Sequence, residues 1–193
     1  EQILIVRSSV FPGTWEKIIK IFDNKFKNLA YCPERIVQGH AIKELPKLPQ
    51  IISGFSKNSI SKSSNLFKVI CYKTLITSIL EAELIKLFSN AWRYTHFSIS
   101  NQFYMICENY NLNFSRVRKL MIDGYSRNKN IPLAGFAAGP CLLKDTMQLS
   151  AFMKQKFSLG HNAMLVNEGL PGFIVNKLKE RHNLKKNTVG VLG

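Results

Sequence analysis

The sequence predicts an α/β chain that is mainly helical. A short apolar run of branched residues opens the chain and is followed at once by a helical pattern. A long stretch in the middle has helical spacing without proline or glycine, and a second short apolar run closes the chain. We therefore expect a helical core with a long central helix, flanked by the tail of one α/β domain and the first strand of another.

Residues 1–56 are interpreted as the tail of an N-terminal α/β domain. The run "ILIVRSSV" predicts a buried strand that ends at the turn "FPGT", and "NLAYCPE" predicts the next strand. Between them, Thr14 is the expected N-cap of a helix that continues to Phe26. Three turn residues then separate this part from the helical region after it: Pro46, Pro49 and Gly54.

Residues 57–160 are predicted to form a helical domain around one long helix over residues 81–110. Its apolar positions fall at steps of three, four or seven: Ile85, Phe88, Trp92, Ile99, Phe103, Ile106 and Tyr110. At about 1.5 Å per residue such a helix is about 45 Å long, more than one small domain readily covers. We expect two copies to pack through it as a homodimer.

The C-terminal third is predicted to contain three more helices and a final strand. One short helix is expected over "NFSRVRKLMID" and another from Pro140 onward. Residues 161–193 are expected to form a linker helix, interrupted at Gly169 to Gly172, and then the strand "NTVGVLG" that opens a C-terminal domain.

The composition predicts a folded, soluble and cytoplasmic protein. The chain has 193 residues, of which 46% are hydrophobic, enough for a buried core. No apolar run is long enough to span a membrane, and the start lacks the layout of a secretion signal. The net charge of +15 suits anionic partners such as nucleotide phosphates. Because the lysines are scattered without interleaved aromatic residues, we expect a solvated basic surface and no nucleic-acid partner.

The four cysteines and four histidines give no sign of a metal site or a disulfide framework. Cys32, Cys71, Cys107 and Cys141 lie far apart and form no C-x-x-C pair, so reduced thiols are expected. The histidines, at positions 40, 96, 161 and 182, show no pairing at ligand spacing, so no metal is expected.

Cys141 has unusual neighbours in the stretch "GFAAGPCLLKDT". If Pro140 is the first residue of a helix, the Cys141 sulfur lies among unpaired backbone N–H groups, where a thiolate is stabilised and its pKa falls. Asp145 lies one turn further along the same face, and Lys144 lies on a neighbouring flank. The small residues before Cys141 leave room for a bulky or phosphorylated ligand. The alternative is that Cys141 is only a small packing residue.

Two other polar groups are candidates for chemistry. Glu83, Lys86 and Asn90 share one face of the long helix, where Lys86 and Asn90 can donate hydrogen bonds to one developing oxyanion. The alternative is a solvated flank with a weak Glu–Lys pair. Glu34 follows a predicted strand, where functional residues of α/β folds collect. The alternative is that this glutamate is simply solvated, as strand-end glutamates more often are.

Five motifs in order resemble those of the UDP-glucose/GDP-mannose dehydrogenase family, most closely its UDP-N-acetylhexosamine 6-dehydrogenase branch. They are "VRSSVFPGTW", "YCPERIVQGHA", "EAELIKLFSNAWRYTHFSISNQF", "GFAAGPCLLKD" and "VNEGLPGFIV". The likeness runs nearly from end to end of this chain and matches the middle of such an enzyme.

The resemblance implies oxidation of the C6 alcohol of a UDP-sugar to a carboxylate, in two hydride transfers to NAD through a cysteine-bound intermediate. Cys141 is the implied nucleophile, while Lys86 and Asn90 steady the oxyanion and Asp145 positions or activates water. Glu34 is implied to assist thioester hydrolysis, and Ser9 to hold the water in place of a family threonine. The implied ligand contacts are Arg35, Ile36, Phe136, Ala137 and Gly139 for the substrate, and Ser9, Glu34 and Lys144 for the cofactor.

The same resemblance implies a Rossmann-like cofactor domain with a G-x-G-x-x-G loop, which this sequence does not contain. By itself the chain is therefore expected to bind NAD poorly. The alternative function is that of an inactive truncated fragment that acts only as a dimerisation or interaction module.

Overall fold

The computed structural model describes residues 2–22, 28–37, 39–137 and 139–191. Two compact units divide the chain, Glu1–Asn90 and Ala91–Gly193. The first is named the α/β unit and the second the helical unit.

The α/β unit is built on a four-stranded sheet whose strands lie side by side in chain order. Its elements are strand β1 (Leu4–Val6), helix α1 (Thr14–Ile21), strand β2 (Leu29–Tyr31), helix α2 (Ala41–Glu44), strand β3 (Gln50–Gly54), helix α3 (Lys57–Lys68), strand β4 (Thr74–Ile76) and the start of helix α4 (Ile79–Asn109). β1 is parallel to β2 and β3 is parallel to β4, whereas β2 and β3 are antiparallel. The strands predicted in "ILIVRSSV" and "NLAYCPE" are confirmed as β1 and β2.

Strand β2 has apolar neighbours on both faces of the sheet. Because successive side chains of a strand point to opposite faces, Leu29 and Tyr31 belong to one core cluster and Ala30 and Cys32 to another. The other buried members are Trp15, Ile51 and Ala82 in the first cluster, and Ile52, Phe67 and Cys71 in the second. Helices α1 and α4 therefore cover one face, and α3 covers the other.

Helix α1 begins differently from the prediction, because its N-cap is Gly13 and Thr14 is its first residue. Gly13 has a left-handed φ of 83°, and the Thr14 hydroxyl donates a 2.5 Å hydrogen bond to the Phe11 carbonyl instead of capping the helix. The carboxylate of Glu83, on α4, accepts hydrogen bonds from the N–H groups of Gly13 and Trp15. The predicted continuation to Phe26 falls partly on residues 23–27, which lie outside the described ranges.

Helix α4 confirms the predicted long helix, with 31 residues and a length of about 46 Å at 1.5 Å per residue. A capping box fixes its start: the Glu81 N–H donates to the Ser78 hydroxyl, and the Ser78 N–H donates to the Glu81 carboxylate. A hydrogen bond from the Thr77 hydroxyl, with two more from Ser78, lowers the pKa of Glu81 to about 2. In the described part of the chain, no helix is long and apolar enough to cross a membrane.

The helical unit contains the rest of α4 and three further helices. These are α5 (Phe114–Ile122), α6 (Pro140–Phe152) and α7 (Ser158–Arg181), with a short 3-10 turn at Ser126–Asn128. Tyr94 of α4, Leu142 of α6 and Ala163 of α7 form its apolar core. The helices predicted over "NFSRVRKLMID" and from Pro140 onward are confirmed.

The interruption predicted at Gly169 to Gly172 is wrong, because α7 continues through Pro171. Proline removes one hydrogen bond of the helix ladder, but it leaves the other turns intact. Those turns are stabilised because one side of α7 is buried. The buried residues of that side include Gly160, Ala163 and Leu170. Close to Pro171, contacts with α4 also hold the helix, including the hydrogen bond from Tyr94 to Glu168 and the packing of Phe173 against Tyr104.

The predicted domain boundaries stay predictions; the first falls between β3 and α3, and the second falls within α7. A boundary after residue 56 would separate β4 from β3, with which it pairs in parallel, so the sheet extends to Ile76. A boundary after residue 160 would cut α7. Residues 188–191 of the predicted final strand form no strand, since strand structure requires a hydrogen-bonded neighbour, and residues 192 and 193 lie outside the described part.

We predict that Gly160→Ala destabilises the helical unit by about 1–3 kcal/mol, because a methyl group overpacks the contact between α6 and α7. An added Cβ would lie 2.5 Å from the Phe157 ring and 2.8 Å from the Thr146 methyl group. The matched control is Gly169→Ala in the same helix, where nothing lies within 4 Å. That change should stabilise the protein by about 0.5–1 kcal/mol. Urea unfolding of both variants tests the prediction, and equal shifts would contradict it.

Candidate functional site

A buried carboxylate joins the beginning of α4 to the segment between β1 and α1. The side chain of Glu83 is 1% exposed, and its oxygens accept hydrogen bonds from the Gly13 N–H at 2.7 Å and the Trp15 N–H at 3.1 Å. The N-terminus of α1 also carries a partial positive charge that favours a carboxylate. Glu83 therefore serves as the cap of a helix that lies far away in the sequence.

Lys86 and Asn90 extend from Glu83 along the same face of α4. They follow Glu83 by three and seven residues, which places all three on one face of the helix. Asn90 is buried and Lys86 is half-buried, so the solvated-flank alternative does not hold for Glu83 or Asn90. Glu83, at one end of this face, contacts Gly13 in the segment between β1 and α1, and the predicted water-holding residue Ser9 belongs to the same segment.

Glu34 is held by an ion pair and by its own backbone. Its Oε2 accepts from the Arg7 guanidinium, and its Oε1 accepts from the N–H groups of Arg35 at 2.7 Å and Ile36 at 2.9 Å. Arg7 itself lies 5.0 Å above the Phe67 ring and donates to Gln50. The Glu34 carboxylate is therefore fixed in orientation, while 27% of its side chain remains exposed.

Arg35 and Ile36, the two neighbours predicted to contact substrate, are held in different ways. The Arg35 guanidinium donates to the Pro49 carbonyl, whereas Ile36 is tied to Glu34 through its backbone N–H. Ser9 and Glu34 follow β1 and β2, which are parallel. The carboxyl ends of neighbouring parallel strands meet at one edge of a sheet, where ligands of α/β folds bind.

Cys141 lies at the second position of α6, with Pro140 first and Gly139 as N-cap. It is exposed, whereas Cys32, Cys71 and Cys107 are buried. Burial also raises the pKa of Cys32 to about 11, which keeps that thiol protonated at neutral pH. A reagent or substrate in solution therefore meets the Cys141 thiol first.

Asp145 and Lys144 lie one turn beyond Cys141. Asp145 is fully buried, and its Oδ1 lies 3.4 Å from the Lys144 Nζ, whose side chain is 53% exposed. The Lys144 ammonium group is therefore a charged neighbour of this buried carboxylate. The role of Lys144 in binding a cofactor stays a prediction.

The loop before α6 contains three residues predicted to contact substrate. Phe136 is 63% exposed, Ala137 packs against the core of the helical unit, and Gly139 has a left-handed φ of 75°. Ala138 lies outside the described residues. A cavity of about 440 Å³ borders the start of this loop; its lining includes Tyr104, Glu108, Leu133, Ala134, Gly135 and Leu170.

The predicted site residues fall into two groups, one in each unit. The α/β unit carries Ser9, Glu34, Arg35, Ile36, Lys86 and Asn90, and the helical unit carries Phe136, Ala137, Gly139, Cys141, Lys144 and Asp145. Sequence reasoning missed the cap formed by Glu83 and the ion pair of Arg7 with Glu34. No group of three or more His, Cys, Asp or Glu side chains suited to a metal occurs in the described ranges.

Comparison with known families accounts for both units. Residues 1–76 match the NAD binding domain of the UDP-glucose/GDP-mannose dehydrogenase family, and residues 80–169 match its central domain. The chain belongs to this family. The break between the two matches, at residues 76–80, coincides with the passage from β4 to α4.

Relatives within the family are named UDP-N-acetyl-D-mannosamine dehydrogenases. The one from Pyrococcus horikoshii is 28% identical over 204 residues, which cover 99% of this chain and 49% of the relative. That from Methanococcus vannielii is also 28% identical, over 99% of this chain and 45% of its own length. A solved structure of the Pyrococcus horikoshii enzyme matches with a TM-score of 0.84, over 95% of this chain and 45% of that one. The chain thus spans about half the length of the relatives it matches.

We predict that Glu83→Ala destabilises the α/β unit by about 1–3 kcal/mol, because the part-buried Gly13 N–H and the buried Trp15 N–H lose their acceptor. Glu83→Gln keeps one acceptor oxygen and should lose less. The matched control is Glu16→Ala, which removes an exposed acidic residue from the first turn of α1 and should change stability by less than about 0.5 kcal/mol. Urea unfolding followed by Trp15 fluorescence measures all three, and an effect of Glu83→Ala no larger than the control would refute the cap.

Proposed function

We propose that this chain is part of an NAD-dependent dehydrogenase that oxidises the C6 alcohol of a UDP-sugar to a carboxylate. The observation that carries the proposal is the exposed thiol of Cys141 in the first turn of α6, while the other three cysteines are buried. Family membership supplies the reaction class, and the exposed thiol supplies a nucleophile for it.

The reaction has two oxidations and one hydrolysis. The C6 alcohol would first lose a hydride and its hydroxyl proton, which gives an aldehyde. The Cys141 thiolate would then add to the aldehyde carbon to give a hemithioacetal, and loss of a second hydride together with the hydroxyl proton would give a thioester. Water then attacks the thioester carbon, releasing the carboxylate and returning the thiol of Cys141.

The polar residues of both units have distinct roles in this scheme. Lys86 and Asn90 donate hydrogen bonds to the oxyanion that develops on the sugar C6 oxygen. Asp145 orients the attacking water, and Ser9 holds it. Glu34, with its orientation fixed by Arg7, assists hydrolysis of the thioester.

NAD, when bound, accepts the hydride in each oxidation. The residues suited to hold part of it are Ser9 and Glu34, which follow the parallel strands β1 and β2 at the edge where α/β sheets bind ligands. Lys144 supplies a positive charge to the same cofactor.

The substrate we favour is a UDP-N-acetylhexosamine, with UDP-N-acetyl-D-mannosamine as the first candidate. The support comes from the names of the relatives and from the net charge of +15, which attracts a nucleoside diphosphate. Phe136, Ala137 and Gly139 contact it from the loop before α6, and Arg35 and Ile36 contact it from the α/β unit.

We predict that UDP-N-acetyl-D-mannosamine slows alkylation of Cys141 by about tenfold or more at saturation, because the sugar covers the exposed thiol. Iodoacetamide labelling of the native chain, followed by peptide mass spectrometry, measures the rate. The buried Cys107 is the internal control and should stay unmodified. Free N-acetylmannosamine is the control ligand. Labelling of Cys141 at the same rate with and without the UDP-sugar would contradict the proposal.

We also propose that the chain forms a homodimer through α4. On the helical unit's part of α4 and at the residue that follows it, large apolar side chains recur at steps of seven, four, three and four and remain 37–74% exposed; they are Trp92, Ile99, Phe103 and Ile106 on α4, and Tyr110 just after it. An exposed apolar stripe of this length marks an interaction surface. A second copy of the same helix provides a matching stripe around a dyad.

We predict that Trp92→Asp and Ile99→Asp convert the dimer into a monomer, because each places a charge in an apolar interface. The control is Leu120→Asp on α5, a side chain as exposed as Trp92 but away from the stripe. Analytical ultracentrifugation measures the mass of each. A monomeric parent chain, or dissociation by Leu120→Asp as well, would refute the proposed interface.

A further inference from the structure

Asn101 occupies the centre of a buried polar network in the helical unit. It is fully buried, and both ends of its side-chain amide are used. Its Nδ2 donates to the Asn167 Oδ1 at 2.9 Å, and its Oδ1 accepts from the Gly135 N–H at 2.8 Å. Asn167 in turn donates to the Tyr94 carbonyl at 3.0 Å. The network thus links α4, α7 and the loop before α6.

This loop is held at three successive points along its first half. The Arg118 Nε donates to the Ile131 carbonyl at 2.8 Å, and the Ser100 hydroxyl donates to the Pro132 carbonyl at 2.9 Å. The bond from Gly135 to Asn101 is the last of the three. Beyond it, Phe136 is exposed and the chain leads into α6, which carries Cys141.

The hydrogen bond from Gly135 to Asn101 lies in a part of the loop that is incompletely packed. The cavity of about 440 Å³ borders the loop at Leu133, Ala134 and Gly135, so apolar contacts do not enclose this segment. The hydrogen bond to the fully buried Asn101 therefore holds the backbone of Gly135 on a side that packing leaves open.

We propose that Asn101 is a positioning residue, which sets the place of the loop that binds the nucleotide sugar; this inference rests on the proposed function. Asparagine suits the position because it offers a donor and an acceptor together, one for Asn167 and one for Gly135. Aspartate would keep the acceptor and lose the donor, and an apolar residue would lose both. The buried Asn101 amide thus fixes the loop relative to α4 and α7.

The test compares two variants that disturb the network at different points. Asn101→Ala removes both bonds, whereas Asn167→Ala removes the link to α7 but leaves the Gly135 N–H with its acceptor. Amide hydrogen exchange of the peptide 131–137 reports the loop, and protection of Cys141 from iodoacetamide by UDP-N-acetyl-D-mannosamine reports binding. Urea unfolding of both variants records their loss of stability.

We expect Asn101→Ala to speed exchange at Gly135 by about tenfold and to raise the UDP-sugar concentration needed for half-protection by a similar factor. Asn167→Ala should change both quantities by less than about twofold despite a comparable loss of stability. A residue with only a structural role would give equal effects in the two variants, and that result would overturn the inference. Unchanged exchange at Gly135 in Asn101→Ala would overturn it as well.

A second variant covers the case in which Asn101→Ala does not fold. Asn101→Leu combined with Asn167→Leu replaces both amides of the Asn101–Asn167 bond by apolar groups of similar shape, so neither amide is left buried without the other. It should show the same faster exchange at Gly135 and the same weaker protection. If no UDP-sugar protects Cys141 even in the parent chain, the proposed function and the loop's binding role fail together. Exchange at Gly135 would still decide whether Asn101 holds the loop.

Discussion

The α/β unit depends on the hydrogen bonds that the buried Glu83 carboxylate accepts. A buried carboxylate is stable only when hydrogen bonds replace its water, and Glu83 finds them at the Gly13 and Trp15 N–H groups. The same two bonds satisfy the start of α1 and fix the segment after β1 against α4. The face of α4 that carries Lys86 and Asn90 is thereby set relative to the sheet of its own unit.

A comparable constraint operates in the helical unit through a neutral group. Asn101 and Asn167 are buried amides whose donors and acceptors are used within the network, and Gly135 of the loop before α6 is one of their partners. Both units therefore use a buried polar side chain of α4 to hold a loop that carries predicted site residues. The proposed chemistry needs this rigidity, because an oxyanion donor or a nucleophile displaced by about 1 Å loses most of its effect.

The sequence pattern predicted correctly the helices whose position is decided by residues close to them in the chain. The spacing of apolar residues predicted α4, and the proline before Cys141 predicted the start of α6, since both depend on neighbouring residues. The cap of α1 was missed because its acceptor, Glu83, lies 70 residues from Gly13, and no local pattern records that distance. Contacts with α4 likewise hold α7 on both sides of Pro171, and pairing with β3 extends the sheet to β4. The candidate nucleophile and oxyanion donors could be named from motifs, whereas Arg7, the partner that orients Glu34, could not, because it becomes a neighbour only through strand pairing.

The central claim is that Cys141 forms a covalent bond with the sugar during oxidation. Mass spectrometry of the peptide that contains Cys141 tests it most directly, after acid quenching of a reaction with NAD⁺ and UDP-N-acetyl-D-mannosamine. The reaction is run with the 193-residue chain and with the same chain fused between the flanking segments of the Pyrococcus horikoshii relative. The Glu34→Gln variant of each should slow thioester hydrolysis, so the account predicts a UDP-uronyl adduct on Cys141. Formation of the UDP-uronate without any adduct, at an unchanged rate in Cys141→Ser, would contradict it.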